Sequence, residues 1–397
     1  MGKAVFLSTP AYGHVNPTLA LTAELVSRGE HVVYFATDEF RAAIEHVGAE
    51  YRSYGEPPEY DTAALENVFA VAELALQLTL RLMPVVLEKV ASEKPDYVLH
   101  DAMAVWGKLT ARRLKLPAVA TRPYFAVSKR KGTGSHRFNL EIARMFFAGL
   151  PSMLRCIPLM RRLRLQYGWT DGFTDIFTNV EPLTLVFTSK YFQPNADAFD
   201  ERFRFVGPQL ALRPELEEFP LGQLEGRRVI YISMGTVFNE ALSFYRTCLE
   251  AFGGLDCLVV LSVGPKMDIA SLGPIPKNII VRQRVPQLRI LEHADLFITH
   301  AGMNGATEGL YYGVPLLTIP QGADQLLVAC RVAQLGAGVY LNRKKVTPAR
   351  LRETTLRIMA DDGIRRRCET VRDSFLACGG HVEAADEVLR FVRQRAH

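Results

Sequence analysis

Residues 295–325, DLFITHAGMNGATEGLYYGVPLLTIPQGADQ, constrain the fold of this chain most. Residues 296–299 form a short apolar run of β type. It breaks into the small-residue turn His300-Ala301-Gly302-Met303-Asn304-Gly305, passes through an apolar helix, and returns as a strand over 314–319. A helix N-terminus reached through such a turn offers backbone N–H groups and the positive end of the helix dipole to an anion. Gly302 and Gly305 let the backbone come close to that anion. His300 and Asn304 add donors, Met303 lies between them, and Glu308, one turn on, suits a sugar diol. The segment is a candidate holder for a diphosphate and a ribose.

The same alternation runs through the rest of the chain. In the first half we expect strands over 4–8, 31–37, 49–53, 97–100, 118–121 and 183–188. A helix should start at Asn16-Pro17, with Asn as N-cap and Pro in the first helical position, and a long helical region over 63–92 should be kinked at Pro84. The second half offers strands over 229–233, 257–263 and 279–282 ahead of the segment described above. Repeated β-α-β order with apolar strands predicts parallel sheets covered on both faces. At 397 residues the chain suits two domains. We expect an N-terminal domain over 1–207, a linker over 208–227 with Pro214 and Pro220, and a C-terminal domain over 228–397 whose last helix packs back on the first domain. The predicted class is α/β, two Rossmann-like doubly wound domains whose strand ends face a central cleft, where ligands of open sheets bind.

Lys plus Arg exceed Asp plus Glu by 47 − 42 = 5, and apart from Lys129-Arg130-Lys131 and Arg161-Arg162-Leu163-Arg164 the chain lacks the clustered basic stripes that a nucleic-acid partner would favour. The six cysteines show no C-x-x-C, so neither a zinc ribbon nor a disulfide framework is indicated. Without a secretory signal at the start or a run of eighteen apolar residues, hence without a transmembrane segment, a cytoplasmic location is expected. No G-x-G-x-x-G follows the first strand and no P-loop occurs, which argues against a dinucleotide redox enzyme and an NTPase. The absence of D-x-D and of His/Cys clusters points to metal-free handling of a diphosphate. Over 125–178 the alternation lapses into basic and aromatic segments, including 129–137 and an amphipathic 154–166. This insertion fits a substrate-binding flank, a weak peripheral membrane contact or, the commoner arrangement, a packed helix with a solvated charged face.

His14 sits in a Gly-containing loop before a helix N-terminus, where the dipole disfavours the imidazolium and keeps the ring available as a base. Asp101 stands just past a neighbouring strand, where it can fix the tautomer of an imidazole or cap the helix that follows. Ser233-Met234-Gly235-Thr236 ends the first strand of the second half and offers further phosphate donors or an ordinary tight turn. Arg284-Val285-Pro286-Gln287 can offer a backbone edge and a guanidinium to a nucleobase or form a surface turn. Asp324-Gln325 suit sugar hydroxyls or capping.

Gly13-His14-Val15-Asn16-Pro17, Ser233-Met234-Gly235-Thr236, Val285-Pro286-Gln287, the 300–308 segment and Asp324-Gln325 occur in the order found in the UDP-glycosyltransferase superfamily of GT-B fold. Within it the chain, from about residue 3 to about residue 395, resembles the bacterial macrolide-type glycosyltransferases, including Bacillus enzymes that glucosylate flavonoids and other phenols. The resemblance implies an inverting, metal-independent hexosyltransferase that uses a UDP-sugar, UDP-glucose first among them, as co-substrate and needs no cofactor. It casts His14 as general base and Asp101 as its partner. Ser233, Gly235, Thr236, His300, Gly302, Met303, Asn304 and Gly305 would hold the diphosphate, and Glu308 the ribose. Asp324 and Gln325 would contact the donor sugar, and Arg284, Val285 and Gln287 would form the nucleobase site. Arg284 stands where many relatives place an aromatic that stacks on uracil, which loosens the expected preference for uracil over thymine. The apolar stretches 68–90 and 125–165 suggest a hydrophobic acceptor, such as a macrolide, flavonoid or other phenol. A sugar-nucleotide 2-epimerase of the same fold and a non-catalytic sugar-nucleotide-binding protein are the rival readings, and the His14 and Asp101 pair argues against both.

Overall fold

The structure, a computed structural model, describes residues 2–55, 68–127, 136–210, 219–235 and 242–395. Contacts divide it into two units, Met1–Arg213 with Ala377–His397, and Pro214–Leu376.

In chain order the first unit contains β1 (Lys3–Leu7), α1 (Tyr12–Ser27), β2 (His31–Ala36), α2 (Arg41–His46), β3 (Glu50–Ser53), α3 (Val68–Glu93), β4 (Tyr97–Asp101), α4 (Val105–Leu114), β5 (Ala118–Arg122), α5 (His136–Tyr167), α6 (Asp175–Thr178), β6 (Leu183–Val186) and β7 (Phe203–Phe205). The strands pair in the order β3-β2-β1-β4-β5-β6-β7, every pair parallel. Side chains alternate across such a sheet. Val5, Leu7, Val33 and Phe35 pack under α3 and α4, while Ala4, Phe6, Val32 and Tyr34 pack under α1. Both faces are therefore covered, and the strands are apolar throughout, as a two-sided burial demands.

Helix α1 starts at Tyr12, not at Asn16. Ala11 is the extended N-cap, the Tyr12 ring packs edge-on against Phe40 at 4.9 Å, and Pro17 lies in the second turn, where it removes one helix hydrogen bond. Burial of Val15, Leu19, Leu21 and Leu25 offsets that loss. Helix α3 is likewise not interrupted at Pro84 and continues to Glu93. The stretch over 125–178, where the strand-helix alternation lapses, is mostly α5, the packed-helix arrangement, and it continues through Pro151 and Pro158. Packing against α3 sustains it, with Cys156 and Leu163 in the same core as Leu76, Met83 and Val86. The basic residues 129–131 lie outside the described residues.

The second unit contains β8 (Val229–Ser233), α7 (Leu242–Phe252), β9 (Leu258–Ser262), β10 (Ile279–Arg282), α8 (Gln287–Leu291), β11 (Leu296–Thr299), α9 (Met303–Tyr311), β12 (Leu316–Thr318), α10 (Ala323–Gln334), β13 (Gly338–Tyr340), α11 (Pro348–Met359) and α12 (Asp362–Leu376). Its strand order is β10-β9-β8-β11-β12-β13, again all parallel. The last helix, α13 (Gly380–Arg395), belongs to the first unit. Ala384, Ala385 and Val388 enter the core beneath α1, and Arg28 pairs with Asp386 at 2.5 Å. In each sheet the winding reverses once, between β1 and β4 and between β8 and β11. Ligands of doubly wound sheets bind at such reversals.

Candidate functional site

At the first reversal, β1 and β4 lie side by side with Leu7 opposite His100. The turn after β1 leads directly into α1, whose third residue is His14, and β4 ends on Asp101. His14 is therefore inside the first turn of the helix rather than in the loop before it. Its backbone N–H donates to Ala11 O at 2.9 Å. Asp101 is fully buried. Its Oδ2 accepts from His14 Nδ1 at 2.9 Å, and its Oδ1 accepts from Thr9 Oγ1 at 2.8 Å and from the Met103 backbone N–H at 2.7 Å. Asp101 thus performs the turn-capping role as well as holding the imidazole. Burial would raise its carboxyl pKa. The His14 charge and hydrogen bond, followed by the Met103 and Thr9 bonds, outweigh that and hold it below the ordinary carboxylate value. With Nδ1–H donated to a carboxylate, the neutral ring carries its lone pair on Nε2, and Asp101 can stabilise the imidazolium once a proton arrives.

Two further groups fix this corner, and no motif announced them. His100, buried beneath the sheet, donates from Nδ1 to the Asp101 carbonyl at 3.0 Å and meets Glu181 Oε1 through Nε2 at 3.2 Å. Gly107 makes room for it, since a Cβ there would stand 2.4 Å from that of His100. Tyr124 lies edge-on to His14, with ring centroids 5.9 Å apart, and the Arg122 guanidinium covers the Tyr124 ring at 5.1 Å. Strand alternation gives a sequence-level hint of His100, because it sits on the face opposite Asp101. Thr9 and Tyr124 become visible only in three dimensions.

At the second reversal, Ser233 is the register partner of Thr299. The His300 ring is clasped by glycines from both loops, so that a Cβ on Gly235 or on Gly302 would come within 2.5 Å of it. Gly235 has φ +80°, and Ala301 takes the left-handed conformation at φ +63°, an arrangement that strains a residue with a Cβ. Burial lowers the His300 pKa to about 4, a hydrogen bond with the Ser233 backbone opposing it, so the ring is neutral near pH 7. Its Nδ1 is buried without a partner among the described residues. Helix α9 begins at Met303, followed by Asn304 and Gly305, with Gly302 as a cap that has no side chain to offer. Backbone and imidazole groups thus converge as an anion site would require. Thr236 lies outside the described residues.

Glu308 is almost fully buried on the second turn of α9. Gln287 Nε2 donates to Glu308 Oε2, and Tyr231 OH donates to Gln287 Oε1 at 2.8 Å. Tyr231 stacks on Phe297 with centroids 4.8 Å apart. The structure therefore places Gln287 against Glu308 and adds Tyr231, which the sequence reading missed. Arg284 is exposed and Val285 half-buried, both in the turn between β10 and α8. Gln325 uses Oε1 to accept from the Gln321 and Gly322 backbone N–H groups at 2.8 and 3.2 Å, the capping role. Asp324 is the second residue of α10, and its side chain lies outside the described residues. Among the described residues no three His, Cys, Asp or Glu side chains gather as a metal site.

Comparison with known proteins agrees along the whole chain. Residues 246–390 match the family described as erythromycin biosynthesis protein CIII-like, C-terminal domain. The chain is 37% identical over 404 residues to the NDP-glycosyltransferase YjiC of Bacillus licheniformis, covering 98% of this chain and 97% of the relative. It is 32% identical over 397 residues to the oleandomycin glycosyltransferase of Streptomyces antibioticus, covering 96% and 88%. The crystal structure of CalG4, the calicheamicin glycosyltransferase, superposes with a TM-score of 0.83 at 29% identity, covering 100% of both chains.

Proposed function

The chain belongs to the macrolide-type UDP-glycosyltransferases of GT-B fold, and from that premise we propose that it moves glucose from UDP-glucose to a hydroxyl of a hydrophobic small molecule, with inversion and without a metal. Membership establishes a glycosyltransferase acting on small-molecule acceptors. The donor, the base and the stereochemistry are our reading.

His14 Nε2 takes the proton of the acceptor hydroxyl while Asp101 holds Nδ1–H. The oxygen attacks the anomeric carbon in line, and the bond to the diphosphate oxygen breaks with its electron pair going to UDP. The developing charge is met by the N-terminus of α9, by His300 and by Ser233, Gly235 and Thr236, donors oriented in advance of the reaction. Glu308 accepts from the ribose diol, and Arg284, Val285 and Gln287 take the base. Asp324 and Gln325 face the sugar. A single displacement converts an α-linked donor into a β-glycoside. The base belongs to one unit and the donor residues to the other. The six cysteines show no C-x-x-C spacing, which suits a reducing cytoplasm.

The observation that carries this reading is the buried Asp101 carboxylate, bound by three donors, with His14 as the one titratable among them. Incubation with UDP-glucose, with and without a phenolic acceptor, tests it. A β-glucoside formed only in the presence of the acceptor supports it. An epimerised nucleotide sugar, or an untouched donor across a panel of phenols and macrolides, overturns it.

A further inference from the structure

Helix α5 turns two different faces outward and inward between Pro151 and Tyr167. Cys156 and Leu163 are fully buried against α3, and the Arg155 guanidinium pairs with Glu73 of α3 at 2.8 Å, which fixes the roll of the helix. At about 100° per residue, Leu154, Ile157, Pro158, Arg161, Arg164 and Leu165 fall within roughly one third of the circumference, opposite that buried line. Leu154, Ile157 and Leu165 are 57%, 58% and 76% exposed. Arg161, Arg162 and Arg164 are exposed too, and among the described residues none of them makes an ion pair. No Asp or Glu occurs from Pro151 to Tyr167.

A packed helix with a merely solvated face would show charges there and few large apolar side chains. This face interleaves both. The apolar groups suit the acyl boundary of a bilayer, and Arg161 and Arg164 within the face, with Arg162 at its flank, suit lipid phosphates, the composition of a helix that lies in an interface. Charge complementarity selects anionic lipid over a second copy of this chain, because an isologous contact would set the same three cations against themselves.

We propose that the outer face of α5 docks this protein on membrane surfaces rich in anionic phospholipid. The full-length chain is mixed with vesicles of phosphatidylcholine alone or of phosphatidylcholine with phosphatidylglycerol and sedimented. Binding is expected only to the mixed vesicles, weakening as salt is added. Each of Arg161→Gln, Arg162→Gln and Arg164→Gln should weaken it about fivefold, and Ile157→Asp with Leu165→Asp should abolish it. Thermal unfolding checks that these variants remain folded. In Leu165→Trp, tryptophan emission should shift to the blue on adding mixed vesicles, which reads the contact directly. Equal binding to both vesicle types, binding to neither, retention in the triple arginine variant, or a dimer that Leu165→Asp dissociates in place of vesicle binding would each overturn the proposal.

Discussion

Asp101 Oδ2 and His14 Nδ1 are 2.9 Å apart, and the carboxylate is immobilised from its other oxygen by Thr9 and Met103. The relationship is directional, since a carboxylate accepts and so selects the Nδ1–H tautomer. Asp101→Asn keeps the shape but can present an N–H to Nδ1. Turnover should fall by about 10²–10⁴-fold while UDP affinity stays within about twofold of the parent. Steady-state kinetics with calorimetric UDP titration checks this, and an unchanged kcat would contradict it.

Tyr231, Gln287 and Glu308 act in series. Tyr231→Phe removes the hydroxyl that holds Gln287 at a cost of about 1 kcal/mol in an ordinary hydrogen bond. The donor KM should rise about fivefold with the acceptor KM unchanged, and Glu308→Ala should raise the donor KM at least tenfold. Because the groups share one network, the double variant should fall short of the product of the singles. Strict multiplicativity would show that Tyr231 does not act through Glu308.

Gly235→Ala places a Cβ 2.5 Å from the His300 ring at a backbone φ of +80°. The conformation alone costs about 1–2 kcal/mol. A melting temperature several degrees below the parent and a weakened UDP affinity are expected. A melting temperature equal to the parent would mean that the loop relaxes freely and does not clasp His300.

Two groups of the site contribute to acid stability in different windows. His300 has a pKa lowered by burial to about 4 when folded and about 6.5 when unfolded. Between those values the unfolded chain binds a proton that the folded one does not, so stability falls as pH drops from about 6.5 to about 4. His300→Asn should flatten that part of the profile. Asp101 is held below its ordinary value by His14, Met103 and Thr9 against the effect of burial, so its contribution is present at neutral pH and is lost only below about 4. Urea midpoints of parent and variant at pH 7 and pH 5 distinguish the two. An identical slope would contradict the His300 assignment.

Much of the fold was legible because parallel sheets buried on both faces leave an unmistakable record of apolar strands, and the two winding reversals follow from strand order. His14 and His300 could be singled out because each follows a strand and adjoins glycines. What sequence could not supply was the start of α1, where Pro17 suggested a boundary that the packing of Tyr12 on Phe40 moves forward by a full turn. An amphipathic helix over 154–166 was legible, but not the full span of α5, whose two prolines argue locally against the continuous helix that α3 sustains. Of the site residues added by the structure, His100 is hinted at by strand alternation, while Thr9, Glu181, Tyr124 and Tyr231 act through contacts between strands or across loops, for which residue spacing carries no signal.

Glycoside formation by the parent and by His14→Ala, measured in one assay with UDP-glucose and a phenol and paired with calorimetric UDP binding to both proteins, tests the central claim most directly. β-Glucoside is expected from the parent, with a rate at least about 10²-fold lower in the variant and UDP binding unchanged between them. Glycoside formed by His14→Ala at the parental rate on a weakly acidic alcohol would contradict it.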